Sequence, residues 1–126
     1  MPDAAIAALV ALPQPVTWIA GGADKKLSFE ALAAAAAVHA QHIILLQGSA
    51  TDLLREALVR HGAASRIIGT YDSFEAAIRA AHALQTTPAT IALSPGCASF
   101  GMFRNEFHRG EEFRRIVGLL VAEATA

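Results

Sequence analysis

Cysteine is almost missing from this chain: Cys97 stands alone among 126 residues. A single thiol closes no internal disulfide and builds no metal site by itself, so a reducing compartment is expected. Charge is also scarce. Charged residues make up 17% of the chain, and 10 Lys plus Arg against 11 Asp plus Glu leave a net charge of -1. That balance excludes a strongly basic nucleic-acid binder and an acidic tail protein. No apolar run reaches the roughly 20 residues of a membrane span. The start, Met1-Pro2-Asp3-Ala4-Ala5, lacks the basic flank and apolar stretch of a signal peptide. The expected location is the cytoplasm, with no membrane and no nucleic-acid partner.

Apolar material, by contrast, is plentiful. Hydrophobic residues make up 54% of the chain and 29 residues are alanine. This excludes disorder and suffices for the core of one domain over residues 1–126. Helix and strand patterns alternate. Asp3 reads as a cap for a helix closed by Pro13 and Pro15, and Val16-Thr17-Trp18-Ile19-Ala20 as an apolar strand stopped by Gly21-Gly22. A helix from Ser28 to His39 follows, then a strand at His42–Leu46. The next helix covers Ala50–His61, with Leu53, Leu54, Ala57 and Leu58 inward and Gly62 as its stop. Arg66–Gly69 is a weak strand. Asp72 with Glu75 resembles a capping box opening a helix to Leu84. Thr90–Leu93 is the last strand, and the chain turns helical again around Phe100 and from Glu111 to Ala122.

Strands without polar alternation are buried on both faces, and strands separated by helices need crossovers. The predicted class is therefore α/β, a Rossmann-like parallel or mostly parallel sheet with helices on both faces. Such domains open on a strand, whereas this chain opens on a helix. Either the domain is circularly unusual, or its first strand lies upstream in a longer parent protein, which is the expected case. Its neighbour, taken to be Val16–Ala20, would then offer an open edge through which two copies associate.

Ligands of such sheets sit beyond the carboxyl ends of the strands. Two loops there are rich in small and polar residues: Gly21 to Lys26, and Ser94 to Ser99. Neither is a nucleotide motif. GxGxxG fails because Gly21 and Gly22 are adjacent, and GxxxxGK[ST] fails because no Gly precedes Lys25 and no hydroxyl residue follows it. Lys25 is either a point charge for a carboxylate or phosphate, or a solvated turn residue. Ser99 either helps bind an anion at a helix start or simply caps that helix. Cys97 has no His at a diagnostic spacing and reads as structural. The five His form no metal pattern, so no metal is expected. Trp18 reads as core, and so do most of Phe100, Phe103, Phe107 and Phe113. The mixed charges of Arg104 to Arg115 read as a solvated helix face.

The stretch from Ala92 to Asn105, ALSPGCASFGMFRN, followed by Arg109-Gly110-Glu111-Glu112-Phe113, resembles a signature of the Mur ligases that add D-glutamate during peptidoglycan precursor synthesis. Ile19-Ala20-Gly21-Gly22-Ala23-Asp24-Lys25 resembles their glycine-glycine loop and lysine. Pro2 to Leu12 resembles a helix of their C-terminal domain. The resemblance runs the length of the chain. It implies the C-terminal domain of a three-domain, ADP-forming ligase that joins D-glutamate to UDP-N-acetylmuramoyl-L-alanine. The enzymes it resembles make an acyl phosphate from ATP, which the D-glutamate amine then attacks.

By this resemblance Lys25 supplies a cation for a substrate carboxylate, Ser99 donates from hydroxyl and backbone N–H, Phe100 contributes a backbone contact and Phe107 covers the amino acid. No catalytic residue is assigned to this chain. ATP, Mg²⁺ and the UDP-linked substrate belong to the other two domains, and the chain alone is expected to be inactive. Two positions depart from the pattern: Gly101 stands where the family has aspartate, and Glu106 stands where it has the covering aromatic, with Phe107 one residue later. A free-standing Rossmann-like module for a small carboxylate or nucleotide is the alternative, and a scaffold whose site has decayed is the third reading.

Overall fold

Four parallel strands in the order β3-β2-β1-β4 form the centre of the computed structural model, which describes residues 2–21, 29–84, 90–93 and 106–125. The elements follow the chain as α1 (Pro2–Ala11), β1 (Val16–Gly21), α2 (Glu30–His39), β2 (His42–Leu46), α3 (Thr51–Arg60), a 3-10 turn (Ala64–Arg66), β3 (Ile67–Tyr71), α4 (Phe74–Ala83), β4 (Thr90–Leu93) and α5 (Glu106–Thr125). The Rossmann-like α/β reading holds.

Side-chain alternation along the strands separates two apolar layers. Val16, Trp18 and Ala20 of β1, with Ile43 and Leu45 of β2, pack against α1, α2 and α3 through Leu9, Leu32, Ala33, Ala36, Leu54, Ala57 and Leu58. Ile19, Ile44 and Leu46 point the other way, onto Phe74, Ala77, Ile78 and Ala81 of α4 and Ile116 of α5. Both faces of β1 and β2 are thus buried, which is why these strands carry no polar alternation.

Several element ends differ from expectation, for local reasons. α1 begins at Pro2, whose missing N–H costs nothing at a first helical position, so Asp3 lies inside the first turn and not before it. Ser28 lies outside the described residues, and α2 starts at Glu30 behind Phe29, which is buried. In α3 the inward stripe is Thr51, Leu54, Ala57 and Leu58, at helical spacing; Leu53 is rotated off it by about 100° and is 42% exposed. Gly62 ends α3 at φ +81°, with Ala63 N–H donating to Leu58 O at 2.9 Å and Gly62 N–H to Val59 O at 3.1 Å, a Schellman closure.

Arg66 belongs to the 3-10 turn and not to β3. The pairing of β2 with β3 jumps from Ile43↔Ile67 to Ile44↔Gly69, which leaves Ile68 as the extra residue of a bulge. α4 is capped by Ser73, whose hydroxyl accepts from Ala76 N–H at 3.2 Å. Asp72 does not cap it, and Glu75 serves Arg79 instead.

The expected open edge at Val16–Ala20 is overturned. β1 pairs with β2 from Thr17↔His42 to Gly21↔Leu46, and with β4 from Val16↔Thr90 to Ile19↔Leu93. It is a central strand, so association of two copies through it has no free backbone to use. Among the described strands, β3 and β4 form the edges.

α5 starts at Glu106, five residues earlier than Glu111, and lies along α4. The Phe74 and Phe113 rings meet at 6.3 Å between centroids. Arg79 grips Glu123 with two bonds of 2.9 and 2.7 Å and Glu75 with a third of 2.9 Å. Arg115 holds Glu112 at 2.8 Å and reaches Glu75 at 3.5 Å. The Arg79 hydrogen bonds hold the Glu123 carboxyl below its ordinary value of 4.5. A depressed carboxylate contributes stability above its unfolded value and loses it as pH falls through the folded one. Glu123→Gln is therefore expected to lower Tm by a constant amount above pH 5 or so, by less as pH falls through the acid range, and not at all near pH 2 or so. High salt should shrink the effect, since the pair is exposed. A Tm difference that persisted in strong acid would assign Glu123 another role.

Candidate functional site

The strand order fixes where a ligand crevice forms. From β1 the chain steps to β2 and β3 on one side, then returns to place β4 on the other. The point between β1 and β4 is therefore a topological switch. Connections diverge there onto opposite faces of the sheet and leave a crevice at the carboxyl ends. β1 ends at Gly21 and β4 at Leu93, and Ile19 is registered with Leu93. The two segments that leave these adjacent ends are 22–28 and 94–105. They carry Lys25, Ser99 and Phe100, three of the four residues singled out in the sequence.

Lys25, Ser99 and Phe100 themselves lie outside the described residues, as do Cys97 and Gly101. Phe107 is the second residue of α5 and is 74% exposed, unlike Phe113 six residues on, which packs into the core layer. The helix start expected near Ser99 also falls outside the described residues. α5 itself opens seven residues later.

On the β2 side the crevice has a rigid shoulder. Thr51 is wholly buried and its hydroxyl donates to Leu46 O at 2.7 Å, tying the first turn of α3 to the end of β2. Gln47 N–H donates to Tyr71 O at 2.8 Å, locking the ends of β2 and β3 together. Arg55 bonds Asp52 at 2.7 Å and also the Thr70 hydroxyl, so this cation is committed to bracing β3. Sequence reasoning passed over Thr51 and Arg55. The available signal was a hydroxyl residue three positions before Leu54 on an otherwise apolar stripe. Across the outer ends of α2 and α3, Glu30 is held by Arg60 and by His61, and these bonds, Arg60 first, keep its carboxyl below the usual range.

Among the described residues no three His, Cys, Asp or Glu side chains are grouped to hold a metal ion. No helix among them is long and apolar enough to cross a membrane.

No protein-family model matches the chain. Individual relatives do. A UDP-N-acetylmuramoylalanine–D-glutamate ligase of Roseiflexus sp. (strain RS-1) is 50% identical over 116 residues, which is 92% of this chain and 25% of the relative. Proteins of the same name from Treponema pallidum and Clostridium tetani are 41% and 40% identical over 120 and 119 residues, covering 95% and 92% of this chain but 22% and 26% of themselves. Over most of its own length the chain is similar to ligases of that name. It spans about a quarter of the length of the ligases it matches. That share suits the single α/β sheet seen here.

Proposed function

We propose that this chain is the C-terminal domain of a cytoplasmic, ATP-dependent ligase that adds D-glutamate to UDP-N-acetylmuramoyl-L-alanine, and that it supplies the D-glutamate site. The observation that carries the reading is the strand order. Segments 22–28 and 94–105 leave adjacent strand ends at the switch point, and they carry Gly22 to Lys25 and most of the stretch ALSPGCASFGMFRN on which the family resemblance rests. D-Glutamate bears two carboxylates and an amine that must stay free to attack. Lys25 would neutralise one carboxylate, and the Ser99 hydroxyl and backbone N–H would orient it. Phe100 would add a backbone contact. The exposed ring of Phe107 would lie over the amino acid and exclude water.

ATP and Mg²⁺ do not fit this chain. The sequence has no GxxxxGK[ST] loop, and the described residues offer no carboxylate set for the ion. Activation of the UDP-linked carboxyl therefore falls to the rest of the longer protein, and no step of it runs through these residues. The isolated chain should hydrolyse no ATP. It should still respond to D-glutamate.

The test is a titration of the isotopically labelled chain with D-glutamate and L-glutamate, followed by amide chemical shifts. Saturable shifts confined to 22–28, 94–105 and the start of α5, stronger for the D isomer, are the expected result. Equal weak shifts for both isomers would favour a decayed site. ATP turnover by this chain alone would overturn the division of labour.

A further inference from the structure

The opposite end of the sheet carries a second concavity, of ≈ 490 Å³, lined by Gln14, Pro15, Val38, His39, Gln41 and Arg66 along with Ala40. It lies at the amino ends of β1, β2 and β3, far from the switch-point crevice. We propose that this concavity binds a small organic anion: an oxyanion head, carboxylate or phosphate, on a compact apolar body.

The argument begins with Arg66. Both hydrogens of its Nη1 are committed, to Ala37 O and to Ala40 O at 2.9 Å, the last carbonyls of α2 and the residue beyond it. This anchors the guanidinium. Nε and Nη2 have no protein partner among the described residues, and together they form the planar fork that takes an oxyanion side-on. One of these bonds covers Ala37 O, in the last turn of α2, and the other Ala40 O just beyond it, which removes part of the negative partial charge, roughly half a unit at a helix end, that would otherwise repel an anion. A third carbonyl, Ala36 O, is taken by Ala40 N–H.

The remaining polar lining consists of the side chains of His39, Gln14 and Gln41, all able to donate. No Asp or Glu lines the concavity among the described residues, in a chain whose acids slightly outnumber its bases. Pro15 and Val38 supply an apolar wall, and Val38 is 73% exposed in the free protein. A fixed, half-free cation, neutral donors, no competing acid and an apolar wall together describe an organic-anion site. This proposal is independent of the D-glutamate reading, since the two sites use different ends of the sheet.

The probes are phenyl phosphate, benzoate and inorganic phosphate, each against sodium chloride of matched ionic strength, with amide shifts of the labelled chain as readout. Residues 14, 38–41 and 66 should shift saturably with phenyl phosphate or benzoate, and inorganic phosphate should bind more weakly for want of the apolar contact. The ranking of the first two identifies the head group. Gln41→Glu adds a negative charge to the lining at an exposed side chain, while its structural bond, backbone N–H to Val16 O at 2.8 Å, is kept. It should weaken binding about tenfold or more at unchanged Tm. Val38→Ala should reduce the preference for phenyl phosphate over inorganic phosphate. Shifts no larger than those from sodium chloride, or full binding by Gln41→Glu, would overturn the proposal.

Discussion

Lys25→Ala in the longer ligase should raise KM for D-glutamate about 10- to 100-fold, while leaving KM for ATP within a factor of two or so. The size follows from the interaction lost. A charge-assisted hydrogen bond to a carboxylate contributes about 1.5–3 kcal/mol, and each 1.4 kcal/mol or so is tenfold. The selectivity follows from the fold. The segment holding Lys25 leaves the end of β1 next to β4, on the crevice proposed for the amino acid, and no nucleotide motif accompanies it. Lys25→Arg should recover part of the loss, since the charge returns with a different reach and fork geometry. Ser99→Ala should cost less than Lys25→Ala, because the backbone N–H proposed as its second donor is kept. Steady-state kinetics with each substrate varied in turn would check all three. An unchanged KM for D-glutamate in Lys25→Ala would return this residue to a solvated turn and leave the carboxylate without its cation.

The strand ends that border the proposed site were readable because two kinds of signal coincide. Buried strands announce themselves by uninterrupted apolar runs, and Gly21-Gly22 and Ser94-Pro95-Gly96 mark where those runs must stop. Strand order is another matter. Nothing in Val16–Ala20 distinguishes a central strand from an edge strand, since both can be apolar and free of charge, and the expectation of an open edge there failed for that reason. The position of β4 depends on α4 covering the face opposite to α2 and α3, a long-range choice that no local pattern contains. Caps were equally hard to rank. Asp72 and Ser73 are adjacent and both are good caps, and only the backbone conformation of Ser73, φ −126° and ψ 127°, decides between them. Leu53 and Thr51 show a related limit. Hydrophobicity favours Leu53 for the core, yet Thr51 is buried because its hydroxyl finds Leu46 O.

The alanine content has a consequence for the core that the strand pattern alone does not suggest. Trp18 is 1% exposed at the middle of β1, registered between Ile43 of β2 and Ala92 of β4. It belongs to the apolar layer beneath α1 and α2, where Ala33, Ala36 and Ala40 allow the helix to approach closely. Truncating it to alanine removes the largest side chain of that layer and leaves a void. Voids cost less where long neighbours can swing in, and alanines cannot. Trp18→Ala should therefore lie toward the upper end of the usual range for large-to-small changes, about 4–5 kcal/mol. Set against a total stability of about 5–15 kcal/mol for a domain, that loss would leave a parent near the low end of the range partly unfolded. Trp18→Phe keeps most of the volume and should cost about 1–2 kcal/mol, less than half as much. Val38→Ala, at an exposed site, should stay within about 0.5 kcal/mol of the parent. Urea unfolding followed by far-ultraviolet circular dichroism checks the series; fluorescence does not serve, since Trp18 is the only tryptophan. A Trp18→Ala loss below about 2 kcal/mol would mean that α1 or α2 settles onto the sheet to close the void.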